Sequence, residues 1–167
     1  MRAIGLLLGV GVLALAGCYE STAPLDAAPE HEIDRALLGT WRCLPSNPAS
    51  DEETASFVVA SASDRVYAIS FEEGPGKEPE RYEGFLSRIK DKPFLNVRQL
   101  KAKPSDKPWA FVRYAFLRPD VVQVHIVSDE LLKDVEGSPE SVRSALERHL
   151  EKPELLYNYC VCLRARD

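Results

Sequence analysis

The sequence predicts a mainly β domain of about eight antiparallel strands in up-and-down order, with one or two helices inserted before the last strand. Three observations predict it. Short runs rich in β-branched and aromatic residues recur from residue 39 to residue 127 and again from residue 155. Clusters of Pro, Gly, Asp and Ser separate them, as tight reversals require. Only between residues 128 and 153 does the apolar spacing change to that of a helix.

Ahead of this domain, Arg2 is followed by Ile4, Leu6, Leu7, Leu8, Val10, Val12, Leu13 and Leu15, the n-region and h-region of a secretory signal. A membrane-spanning helix needs about 20 apolar residues, more than this run supplies. Leu15-Ala16-Gly17-Cys18 closes the run. The segment resembles the lipobox of bacterial lipoproteins, which implies cleavage after Gly17, a thioether-linked diacylglycerol on Cys18 and an acylated new amino terminus. A thiolate is the side-chain nucleophile best suited to that alkylation. Two or three acyl chains, at about 0.8 kcal/mol per buried methylene, make such an anchor effectively permanent. Tyr19, where Asp would signal retention at the inner membrane, resembles the default outer-membrane signal. The resemblance therefore implies a lipid-anchored cell-envelope protein at the outer membrane, facing the periplasm.

Residues 1–17 are then the signal peptide, 18–35 the lipidated N-terminus and a flexible tether, and 36–167 a single β domain. The tether reading comes from Pro24, Pro29 and the lack of apolar periodicity between them. At about 3.1 Å per extended residue, such a tether would lift the domain roughly 30–40 Å from the bilayer. His31, at its end and without ligand-type neighbours, reads as solvated. The chain carries 21 Lys and Arg against 26 Asp and Glu, and signal removal takes away only Arg2. That balance attracts neither nucleic acid nor anionic headgroups, so no nucleic-acid partner is expected.

A helical turn is expected over Ile33 to Leu38, ended by Gly39. Strands follow near Gly39 to Leu44, Thr54 to Ser61, Arg65 to Glu72, Arg81 to Ile89, Phe94 to Leu100, Trp109 to Leu117, Val121 to Val127 and Leu155 to Arg164. Ala62-Ser63-Asp64, Gly74-Pro75-Gly76 and Arg118-Pro119-Asp120 supply the reversals. Ser128 is placed to cap a short helix through Val135. A second helix opens with Ser138 as N-cap and Pro139 at its first position, and presents Val142, Ala145, Leu146 and Leu150 as one apolar stripe before Pro153 ends it. The stripe reads as packing against the sheet.

Gly39-Thr40-Trp41 at the head of the first strand and Arg164 at the foot of the last resemble the terminal landmarks of the lipocalin and wider calycin group. The resemblance implies a small antiparallel β-barrel, lipocalin-like, closed at one end by the Trp41 indole with the Arg164 guanidinium over its face. Strict alternation in the last strand puts Tyr157, Tyr159, Val161 and Leu163 on one face and Asn158, Cys160, Cys162 and Arg164 on the other. In a closed barrel the first and last strands are neighbours, which brings Cys43 near Cys160 or Cys162. A bridge to either would fasten the closure, the exported compartment being oxidising. The metal alternative, these three cysteines with His125 or His149, lacks the paired Cys-x-x-Cys elements of such sites.

His125 shares a face of its strand with Val121, Gln123 and Val127, opposite Val122, Val124 and Ile126. Were the polar face turned inward, Arg113, Gln123 and His125 would line a cavity. The uniformly aliphatic opposite face favours an outward His125. No nucleophile elbow, phosphate loop or calcium-binding spacing is present. The expectation is a non-enzymatic, membrane-anchored lipoprotein with no cofactor and no metal, binding a small apolar ligand. The second reading is an interaction module, an envelope assembly factor or inhibitor that meets protein partners through its loops or helix surface.

Overall fold

The computed structural model describes residues 17–45, 54–74, 76–103, 107–135 and 137–166. The hydrophobic run and positions Leu15 and Ala16 of the segment read as a lipobox lie outside the described residues. Nine strands and one α-helix follow in order among those described: β1 (Glu20–Ser21), β2 (Gly39–Pro45), β3 (Ala55–Ser61), β4 (Tyr67–Glu73), β5 (Glu80–Ile89), β6 (Lys92–Gln99), β7 (Trp109–Arg118), β8 (Val121–Val127), α1 (Pro139–His149) and β9 (Leu156–Arg164). From β2 to β9 each strand pairs antiparallel with the next, and β9 returns to β2. The result is a closed eight-stranded antiparallel barrel with one helix before the last strand.

The eight barrel strands fall where the apolar runs predict them. Two residues, Lys90 and Asp91, connect β5 to β6, both with positive φ, the backbone that matches the twist of a two-residue hairpin. Helix α1 begins as expected: the Ser138 hydroxyl accepts from the Ser141 N–H and Pro139 occupies the first turn. The helix expected from Ser128 to Val135 does not form. Ser128 instead bridges to Cys18 and donates its N–H to the Leu155 carbonyl, so sheet pairing claims the residue that would have opened a helix. Isolated turns follow it.

The sheet buries both faces over part of its circumference. Inside lie Trp41, Tyr67, Ile69, Leu86 and Val122, among others. Outside, α1 lays Val142, Ala145 and Leu146 over Phe85, Ile89, Phe94 and Phe111. The stripe is thereby spent on packing, and the face it would have offered a protein partner is covered.

The expected free tether is packed into this outer layer, which corrects that reading. Tyr19 is 4% exposed and Leu25 1% exposed, both within the outer core. Below Val112 and Ile126, β7 and β8 no longer pair, and residues 17–21 fill the gap. Glu20 and Ser21 pair with Ala110 and Trp109 on one side, while the Tyr19 N–H donates to the Val127 carbonyl on the other. Asn96, fully buried, latches the segment: its Oδ1 accepts from the Leu25 N–H at 2.8 Å, and its Nδ2 donates to the Phe85 carbonyl and the Ser87 hydroxyl. Two apolar side chains and a satisfied buried amide outweigh the disorder that prolines and alanines favour. Among the described residues no helix is long and apolar enough to cross a membrane.

Candidate ligand cavity and anchor site

The inner faces of the strands enclose a cavity of about 210 Å³. Phe57, Ile69, Leu95, Val112, Val124 and Ile126 form its middle. Two of the tyrosine hydroxyls that line it, those of Tyr82 and Tyr114, are engaged elsewhere, as is that of Tyr67 in the inner core. Tyr114 donates to Asp34 Oδ2 at 3.1 Å, Tyr82 donates to the Glu80 carboxylate, and Tyr67 accepts from the Asp34 N–H at 2.6 Å. Apart from Cys18 and Glu20 at one end, what is left to a guest is hydrocarbon and ring surface, which recognises apolar groups by shape.

Trp41 seals one end. Its ring is 2% exposed, its Nε1 donates to the Leu37 carbonyl at 2.8 Å, and the Arg164 guanidinium carbon stands 4.3 Å from the ring centroid. Arg164 also donates to the carbonyls of Ala36 and Leu38, fixing the turn that precedes β2. Gly39 is required beside it: φ is +129°, and a Cβ there would stand 2.7 Å from Arg164 Nη1. The Trp41 and Arg164 geometry is the one the terminal landmarks imply.

Arg164 faces inward without turning Tyr159 outward because β9 does not alternate strictly. Val124 pairs with Cys160 but His125 with Asn158, so Tyr159 is an extra residue in a bulge. Tyr159 and Cys162 both line the cavity as a result. One-residue bulges leave no mark in a hydrophobic pattern, which is why strict alternation misplaces half of this strand.

The β2 and β9 register sets Cys43 opposite Cys162, and the two form a disulfide. Cys160 remains a buried thiol whose sulfur lies 3.4 Å from that of Cys162. The three sulfurs gather within 4.8 Å, with two already spent in the bridge. His125 cannot complete a metal set with them, since Val122, Val124 and Ile126 occupy the inner face of β8. The proposed cavity role of Arg113, Gln123 and His125 is corrected on the same ground. Inward positions go to the aliphatic set, and Arg113 places its guanidinium 5.6 Å from the Phe94 ring on the outer face. Burial and the nearby Arg113 lower the His125 pKa. His149 belongs to α1, likewise on the barrel exterior.

Cys18 occupies the end of the barrel opposite Trp41. It bridges to Ser128, next to the Val127–Leu156 pair where β9 starts, whereas Trp41 pairs with Arg164 where β9 finishes. Cys18 and Glu20 line the cavity while Tyr19 and Ser21 are buried on the other side, as two-residue alternation requires. Burial, reinforced by the carboxylates of Glu20 and Asp129, pushes the Cys18 thiol up to about 11. A thiol so held is a poor nucleophile near neutrality. The place of Cys18 at the cavity mouth arises from its bridge to Ser128, distant in sequence, which no local pattern announces.

Buried acids set a pH limit. Burial raises Tyr67 to about 12 and Cys160 to about 12, and raises Tyr82 and Tyr114 further, Asp34 and Glu80 adding to the effect. In the unfolded chain tyrosines lose protons near 10 and thiols near 8.5. The unfolded state therefore deprotonates first, and stability present below pH 9 is lost as pH rises toward 12. The melting temperature is expected to fall steeply above pH 10, with a shallower alkaline limb in Tyr114→Phe. Identical limbs in the two proteins would contradict the assignment of Tyr114.

No family model matches the chain, and no curated protein matches it.

Proposed function

We propose that this protein is a lipid-anchored, non-enzymatic component of a bacterial cell envelope whose barrel takes up a small apolar molecule. The observation that carries the ligand half is the cavity, apolar throughout its middle and closed at one end by Trp41. The anchor half rests on the match of Leu15-Ala16-Gly17-Cys18 to a lipobox and on an outer-membrane default at Tyr19. Resemblance to the lipocalin and calycin group, carried by Gly39, Trp41 and Arg164, agrees with a binding barrel. The second reading, a protein-interaction module that works through its loops or helix surface, loses the helix's apolar stripe, which is buried.

The test uses a Cys18→Ser variant exported as a soluble domain. A fluorescent fatty-acid probe is expected to bind it at micromolar concentration, and Val112→Trp, which fills the middle of the cavity, to weaken that binding at least tenfold. Equal binding by the filled variant, or none by either protein, would count against an apolar-ligand barrel.

A further inference from the structure

We propose that the cavity's resident guest is one acyl chain of the protein's own anchor, held inside the barrel from its attachment at Cys18. The inference rests on the reading of Cys18 as the lipidated residue and adds where the lipid goes. A flexible tether would let the acyl chains leave together into the bilayer. The structure has no such freedom on the C-terminal side of Cys18: the Tyr19 N–H is bound to Val127 and its hydroxyl to the Val135 carbonyl, and Asp26 pairs with Arg143. Asn96 closes the latch at Leu25. Cys18 is thereby fixed in the barrel wall at the mouth, on the side that lines the cavity.

Size and chemistry suit one chain. An apolar cavity of about 150 Å³ stays dry and accepts benzene, so the 210 Å³ here has room for a stretch of a single alkyl chain and not for two. From the mouth the chain passes Ala110 and Val97, then Val112 and Leu95, and ends toward Trp41. Methylenes gain nothing by exchanging one hydrocarbon environment for another, so covalent attachment decides the occupant. A chain tied at the mouth competes at a high effective concentration against any free lipid. The remaining chains point away from the barrel and hold the protein at the bilayer, mouth towards the membrane.

The experiment feeds the native host a diazirine-bearing fatty acid, irradiates membranes, and maps crosslinked peptides of the purified full-length protein alongside its intact mass. The expected result is an acyl-modified Cys18 crosslinked within its own chain to peptides holding Leu95 and Val97 or Ala110 and Val112. Ala110→Phe, or Val124→Phe should the first not fold, is expected to lower that crosslink at least tenfold while leaving the lipid mass in place. A lipidated Cys18 that crosslinks only to bilayer lipids or to other chains, or a barrel carrying a separate non-covalent lipid, would overturn own-chain occupancy and leave the anchor reading standing. An unmodified Cys18 would remove both.

Discussion

Replacing Cys43 and Cys162 together by serine is expected to destabilise the domain by about 4–5 kcal/mol, because the bridge closes a loop far longer than those of most small domains. The two cysteines are 119 residues apart, at directly paired positions of β2 and β9. In the chain-entropy account nearly the whole barrel is held in one ring when unfolded, so its loss relaxes the denatured state more than the native one. For a domain of this size the melting temperature should drop by roughly 10–15 °C. Cys160 does not rescue the single variant Cys43→Ser, since Cys160 and Cys162 are neighbours on one strand face and bridge poorly. Thermal unfolding of wild type, the double variant and Cys160→Ser checks this. A loss under about 3 °C in the double variant would mean that the β2–β9 hydrogen bonds alone fix the closure.

Asn96→Leu is expected to cost about 3 kcal/mol although it keeps the side-chain volume. Its three partners, the Leu25 N–H, the Phe85 carbonyl and the Ser87 hydroxyl, would be left buried without water. The damage should start locally. Losing the bond to Leu25 frees the N-terminal segment before the barrel opens, so hydrogen exchange at residues 19–25 should accelerate more than that of β2 to β4. Uniform acceleration over the barrel, or unchanged protection at Leu25, would contradict the latch.

These residues mark where the sequence speaks clearly and where it does not. Strand positions, the Ser138 cap and the Trp41–Arg164 pair were legible because each depends on local chemistry or on a short landmark. Cys43 had two admissible partners, and only the β2–β9 register selects Cys162. Tyr19 and Leu25 are single apolar residues in a stretch of prolines and alanines, so no period announces their burial. Asn96 looks like any polar residue alternating along a strand, and its importance exists only once Leu25 comes to rest beside it. The Arg113, Gln123 and His125 face required a choice between inside and outside. The branched aliphatic residues opposite decide it, because closing the barrel removes one face from water along the whole of β8.

The central claim is that Cys18 carries the lipid that holds an apolar barrel at the membrane. Intact-mass measurement of the protein from the native membrane fraction tests it most directly. The account predicts a chain that starts at Cys18, lacks residues 1–17, and exceeds its polypeptide mass by a diacylglyceryl group plus an amide-linked acyl group. A chain of unmodified mass at Cys18, or one cleaved elsewhere and released by a high-salt wash, would contradict it.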